Sequence, residues 1–429
     1  MTAEAAPPVE RVPGEVTLGD LRARGRLRAV LGLLGPAFVA SVAYIDPGNF
    51  ATNFAAGAAH GYELAWVIVM ANLMAVLVQY LTSKAALATG RSLPELCRER
   101  FGGRANVVLW FQAEVVAMAT DLAEFVGAAV GINLIFGVPL FPAGLITAVV
   151  AFVVLGLQQR GYRRFELAII ALLTLVGAGF LYLFLVAGGQ QYGQLAAGLV
   201  PRLSGTGAVG LTVGIIGATV MPHVVYLHSA LQKNRVTADS ARDRRTLLTA
   251  NTWDCAVGLG LAGLVNLAML CIAAVLFHRT GMTAASTLQL VHARLGSLVG
   301  GGAALAFAVA LMASGLSSSS VGTYAGQVVM SGFMNWRIPL LARRALTMAP
   351  SLLVLGLAVN TSQALVLSQI VLSFGIPFAL VPLLLVTRDK LTMTDMVNRR
   401  LTTALMAVTT IVITGLNLYL LYRALASLL

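Results

Sequence analysis

The sequence predicts an all-α integral membrane protein with eleven membrane-spanning helices, on three observations. Of its 429 residues, 58% are hydrophobic and 11% charged, and the mean hydropathy is +0.85; soluble domains carry roughly 25% charged residues. Apolar runs of about 20 residues, enough to cross a hydrocarbon core of about 30 Å as a helix, recur along nearly the whole chain. The basic residues gather at alternate ends of those runs. A membrane β-barrel would show alternating segments of about 10 residues instead.

Taken in order, residues 1–28 are polar, charged and proline-containing, without the apolar stretch of a signal peptide. They read as a disordered cytosolic tail. The spans follow at 29–57, 63–89, 104–135, 141–159 and 163–187, then at 208–232, 247–279, 297–330, 338–358 and 364–386, and last at 401–427. With the N-terminus cytoplasmic, the tail and the five inward-facing connections hold 25 of the 29 Lys and Arg; the other four are Arg202, Arg279, Arg294 and Arg423. This positive-inside bias places the C-terminus outside. It also accounts for the net charge of +12 as membrane topology, so no nucleic-acid partner is expected. Cys97, Cys255 and Cys271 show no CxxC or Cys/His spacing and are read as ordinary thiols.

Span 1 is interrupted by "AYIDPGNFATN", residues 43–53, and span 6 by "ATVMPHVV" from Ala218. Both interruptions follow the pattern Ala-x-x-(Asp or Met)-Pro, and each opens a block of five spans. An odd number of spans per block turns the second block upside down relative to the first. The organisation is therefore two inverted repeats, 29–187 and 208–386, plus an additional span at 401–427. Inverted repeats with broken first helices point to a secondary transporter whose site lies near the bilayer midplane.

Proline lacks an N–H, so the carbonyl four residues earlier loses its helical partner. For Pro47 that is Ala43, and for Pro222 it is Ala218. An unpaired carbonyl inside a bilayer is costly unless it lines a cavity or binds something. A carboxylate there marks function by default. Asp46, Asn49, Met221 and the carbonyls of Ala43 and Ala218 thus form a candidate cation cage. Carboxylate, amide and carbonyl oxygens suit hard divalent ions, whereas the thioether of Met221 is a soft ligand that Mg²⁺ and Ca²⁺ do not reward. The combination favours Mn²⁺, Fe²⁺ and later transition metals, and should admit Cd²⁺.

Span 3 carries Glu114, Asp121 and Glu124 on one helical stripe. These acids form a candidate proton relay, to which His223 could link the metal cage. Arg343 and Arg344, opening span 9, are candidate counter-charges, with Glu124 a partner through the bundle. Asn266 in span 7 is a candidate gating contact, and His228 is either a second gating group or an ordinary buried histidine. Asp254 is expected to pair with a loop arginine. The serine run at residues 317–320 is expected to supply small, hydroxyl-bearing contacts for close helix packing.

"DPGNFATN", "AEVVAMATDLAEF", "GATVMPHVVYLHSAL" and "SQIVLSFGIPFALVPLL" together resemble the Nramp family of divalent-metal/proton symporters, most of all its bacterial manganese transporters. The resemblance runs from about Leu31 to the end of span 11. It implies a LeuT-type fold and a metal held by Asp46, Asn49, Met221 and the Ala218 carbonyl, with Ala43 and Gln369 joining in some conformations. It also implies Asp121 as the proton-binding carboxylate, served by His223, Glu124, Arg343 and Arg344. Many members carry asparagine directly after MPH, where this chain has Val224; the ligand positions are intact.

The expected activity is therefore import of divalent transition metals coupled to protons. The protein is expected to work as a monomer in the cell membrane, without a resident cofactor. The alternative of the same fold is a cation-coupled symporter of organic solutes such as amino acids, which would hold a substrate carboxylate at freed helix N-termini; Asp46 would repel it. An enzyme is not expected, since neither HExxH nor GxSxG occurs. A channel would call for a symmetric ring of filter groups.

Overall fold

The computed structural model describes residues 18–23, 35–159, 162–233, 235–237, 240–281, 287–336, 338–357 and 360–426. Most of the tail and the start of span 1 lie outside the described residues. Within the tail, read as lacking structure, α1 (Leu18–Ala23) is helical, with Leu18 buried and its N–H bonded to the Thr237 carbonyl.

The spans follow as helices. Span 1 is split into α2 (Pro36–Ala43) and α3 (Pro47–His60); α4 (Ala65–Thr89) is span 2, and the short α5 (Leu93–Phe101) lies before α6 (Gly103–Phe136), span 3. Next come α7 (Leu140–Gln159), α8 (Tyr162–Ala187) and the short α9 (Tyr192–Gly198). Span 6 is split into α10 (Thr206–Thr219) and α11 (Pro222–Gln232), and span 7 is α12 (Ala241–Leu276). The remainder are α13 (Leu288–Leu298), α14 (Gly301–Met334), α15 (Leu340–Gly356), α16 (Thr361–Thr387), α17 (Lys390–Met393) and α18 (Arg400–Ala426). Among the described residues, eight of the spans are long and apolar enough to cross a bilayer uninterrupted or through the span 6 break.

Span 8 differs from expectation at its start. Residues 297 and 298 close α13, and the chain turns at Gly300, with φ 124°, before α14 begins. Apolar continuity across residues 297–301 hid a turn that only the glycines mark. Span 7 begins earlier than expected, at Ala241, because the Ser240 hydroxyl caps it by accepting from the Asp243 N–H.

The packing displays the inverted repeat directly. The contact of α3 with α12 recurs as α11 with α4, and that of α14 with α8 recurs as α6 with α16. Likewise α2 on α8 is matched by α10 on α16, while the half-helices pair crosswise, α3 with α10 and α2 with α11. Pairs α6–α14 and α4–α12 lie on the axis and map onto themselves. Apolar side chains such as Leu145 and Val149 of α7 and Leu405 and Ile411 of α18 point outward, as lipid-facing surfaces require. A cluster of Phe50, Phe54, Phe180 and Phe307, with edge-on rings at centroid distances of 5.0 to 5.9 Å, packs α3 against α8 and α14.

Candidate metal and proton sites

Both breaks are the same local solution. Asp46 and Met221 adopt extended backbones (φ −80°, ψ 167° and φ −84°, ψ 118°) and stand as N-caps of α3 and α11, each followed by proline at the first helical position. The unwound strand between α2 and α3 is held by neighbours rather than by its own ladder. Asn266 Nδ2 of α12 donates to the Tyr44 carbonyl at 2.8 Å, and the Ser314 hydroxyl of α14 donates to the Ile45 carbonyl. Asn266 Oδ1 in turn accepts from Asn53 Nδ2 at 3.0 Å. The gating candidate therefore latches the broken segment to α12.

Asp46, Asn49, Ala218, Met221 and Gln369 are all 0% exposed. Asp46 Oδ1 accepts from the Asn49 backbone N–H at 2.7 Å and from Asn49 Nδ2 at 2.8 Å. The same amide nitrogen donates to the Ala218 carbonyl at 2.9 Å, so two oxygens from opposite repeats converge on one amide NH₂. Gln369 Nε2 of α16 reaches Asp46 Oδ2 at 3.5 Å. The Asn49 Oδ1 and Gln369 Oε1 atoms are buried without a hydrogen-bond partner. A buried orphan acceptor is costly, and two beside a carboxylate and a freed carbonyl make a donor set for a cation. Reorienting the Asn49 amide would bring its oxygen to the point where its nitrogen now sits. Met221 presents its thioether from the repeat-equivalent position of Asp46.

Asp121 and Glu124 of α6 are also buried, Glu114 partly so, and the arginines of α15 reach two of these three acids. Arg344 Nη1 faces Asp121 Oδ1 at 3.5 Å, and Arg343 Nη2 binds Glu114 Oε2 at 2.6 Å. Glu124, expected to partner the arginines, makes neither ion pair, and both its oxygens lack a hydrogen-bond partner. It sits one helical turn beyond Asp121, outside ion-pair distance of Arg344 but within its electrostatic influence. The serine run does more than pack. Arg344 donates to the Ser319 carbonyl at 3.1 Å and to the hydroxyls of Ser319 and Thr323. That role was invisible in sequence because the arginine arrives from another helix.

His223 Nδ1 lies 3.2 Å from the Thr120 hydroxyl, so it meets α6 beside Asp121 rather than at it. His228 Nδ1 contacts Gln79 Oε1 at 2.8 Å, and Gln79 Nε2 donates to the Tyr44 hydroxyl at 2.6 Å. Asp254 does not bind a loop arginine. Its two oxygens accept from the backbone N–H groups of Gly35 and Ala37, at 3.0 and 2.9 Å, capping the start of α2. The cap explains the acid: free N–H groups at a helix start attract a carboxylate.

An inverted-repeat helical bundle with a buried donor cage between two broken helices defines a secondary transporter of the membrane. The sequence matches the family described as natural resistance-associated macrophage protein-like, Nramp, over residues 37–423, and the chain belongs to that family. It is 48% identical over 412 residues to the divalent metal cation transporter MntH of Deinococcus radiodurans, covering 96% of this chain and 94% of that one. Identity to the MntH of Bacillus subtilis is 44%, over 94% of each chain. The fold superposes on a crystal structure of a mutant Eremococcus coleocola manganese transporter with a TM-score of 0.84 and 29% identity, covering 94% of this chain and 90% of that one. A lower likeness, TM-score 0.60 at 17% identity over 90% of this chain and 91% of that one, links it in fold alone to Mhp1, a nucleobase-cation-symport-1 transporter. The relatives' names describe transport rather than catalysis.

Proposed function

We propose that the protein imports divalent transition-metal ions, Mn²⁺ foremost and also Fe²⁺ and Cd²⁺, across the cell membrane by alternating access, driven by co-transported protons. The observation that carries this reading is the convergence of Asp46, Asn49 and the Ala218 carbonyl, all fully buried, with Met221 at the symmetry-related helix start. Three oxygen donors and one thioether fit a borderline ion better than Ca²⁺ or Mg²⁺. The metal is the cargo, and no resident cofactor is called for. An organic carboxylate would meet Asp46 at the very helix start it needs, which disfavours the amino-acid alternative.

The proton route we assign starts at the cage, passes the α6 face at Asp121 and Glu124, and leaves by the Arg344 and Arg343–Glu114 pairs toward the basic end of the bundle. His223, two residues past Met221, meets α6 at the Thr120 hydroxyl. With the N-terminus in the cytosol and the C-terminus outside, that end is cytoplasmic. The monomer holds every group the route uses.

The test is flux in proteoliposomes with Mn²⁺ outside and a pH dye inside, alongside calorimetry. Wild type should acidify the lumen as Mn²⁺ enters. Asp121→Asn should bind metal as wild type does yet lose metal-stimulated proton entry, because the amide keeps the shape but carries no charge. Asp46→Asn should lose metal affinity itself, being deprived of the cage's anion. Wild-type proton entry in Asp121→Asn would reject α6 as the route.

A further inference from the structure

The two self-symmetric helices, α6 and α14, run antiparallel with their backbones nearly touching, and glycines make the approach. A side chain added at Gly131 would strike the Met312 backbone at 2.7 Å, and one at Gly315 would strike the Ala128 Cα at 2.8 Å. Two turns along the same stripe of α14 comes Gly322, and there the neighbour changes character. A Cβ at Gly322 would stand 2.6 Å from Glu124 Oε2 and 3.1 Å from Asp121 Oδ1, touching carboxylates instead of backbone. Glycine inside a helix is destabilising relative to alanine, so a spacing requirement has to outweigh it. At Gly315 that requirement is helix packing. At Gly322 the space beside the missing side chain is filled by the two acids.

Glu124 supplies the independent observation. It is 0% exposed, with neither carboxylate oxygen hydrogen-bonded, and Oε2 is aimed at Gly322. Asp121 Oδ1 is also faced by Arg344, itself gripped by Ser319 one turn before Gly322. Arg343 is seated over Gly326, one turn further on, and holds Glu114. The charged groups facing the notch are therefore Asp121 and Glu124 from α6 and Arg344 from α15, with the Arg343–Glu114 pair beyond them.

From this we infer that Gly322 is a positioning residue for proton coupling: its bare backbone lets Asp121 and Glu124 lie side by side against α14, close enough to pass a proton between them. The inference rests on the proton-coupled reading above and extends it to a residue with no titratable group. A methyl at Gly322 meets the end of a flexible side chain, so the helices need not move. The Glu124 carboxylate swings away, and the gap to Asp121 opens.

The experiment compares wild type, Gly322→Ala, Glu124→Asp and the double variant Gly322→Ala/Glu124→Asp in proteoliposomes, recording Mn²⁺ uptake and lumenal pH together, with Mn²⁺ affinity by calorimetry. Gly322→Ala should fold and bind Mn²⁺ as wild type does, while its protons taken up per Mn²⁺ fall by about tenfold or more, the scale on which an ångström of misplacement acts. Glu124→Asp alone should also lose coupling, because the shorter acid leaves a gap beside Gly322. In the double variant the shorter acid makes room for the methyl, and its coupling should exceed that of both single variants. A folded Gly322→Ala with the wild-type proton-to-metal ratio overturns the inference. So does a folded double variant that gains nothing over Glu124→Asp, whether or not Gly322→Ala itself folds. Absence of proton uptake in wild type would instead reject the underlying reading, and the two failures are read from different samples.

Discussion

At the scale of single residues, the cage combines ligands of unlike hardness, and each should be separable by substitution. Met221→Ala removes the soft donor while leaving three oxygens, so Mn²⁺ uptake should persist but become open to competition by Ca²⁺; uptake measured against rising Ca²⁺ checks this, and unchanged exclusion of Ca²⁺ would refute it. Arg344 raises a question of stability. It is buried against Asp121 and Ser319, and removing one partner of a buried pair leaves an uncompensated charge, at a cost of about 3 kcal/mol. Arg344→Leu should therefore lower the melting temperature in detergent, and adding Asp121→Asn should restore part of the loss. The groups at the two proline breaks were nameable from the chain alone, and the structure brings Asp46, Asn49 and the Ala218 carbonyl together there. Which arginine meets which acid could not be named, because Arg343 and Arg344 are adjacent in sequence yet point to Glu114 and Asp121 a turn or more apart on α6. Asp254 misled for the same reason. Its partners are backbone N–H groups, which no residue type announces.

At the scale of elements, the long apolar helices were legible because twenty apolar residues in a row have one economical fate, whereas the short polar connectors carry no such signal. One of them, α5, is tied to the second half of span 6. The Glu95 carboxylate accepts from the Ser92 N–H and hydroxyl and from Lys233 Nζ at 2.8 Å, and the Leu93 N–H donates to the Ser229 hydroxyl. Partial burial opposes ionisation of Glu95, but the Lys233 ammonium and the Ser92 bonds outweigh it and hold the carboxyl below its ordinary 4.5. A depressed carboxyl stabilises the folded form fully above its unfolded value and loses that contribution as pH falls through the folded one. Melting curves should therefore show wild type losing stability below about pH 4.5 partly through this tie. Glu95→Gln should be less stable by about 1 kcal/mol at neutral pH and converge toward wild type in acid. Parallel curves at all pH values would show the tie to be idle.

At the scale of the whole molecule, the cage is fully buried, with polar contacts on both sides of it. On the basic side, α2 is pinned by Asp254 through two backbone hydrogen bonds, with the Arg235–Glu166 pair alongside at 3.1 Å. On the other side, Tyr62 bonds Gln190 at 3.0 Å and Glu63 accepts from the Ser204 N–H at 2.7 Å. Asp254→Ala should release α2 and open the basic side. A cysteine introduced at Ser41, which is buried in the structure, should then react with a thiol reagent supplied from that side, and continued protection in the variant would place the barrier elsewhere. On the alternating-access reading, the difference in free energy between facing in and facing out reflects unlike contacts at the two ends, and ions that leave both closures equally able to form give neither one a preference. Such a device has no intrinsic sense of direction. On the proton-coupled reading proposed above, net flow is dictated by the concentrations and voltage on either side, and a vesicle loaded with Mn²⁺ and made acidic inside should be drained by the same molecule that fills it when the gradients are reversed.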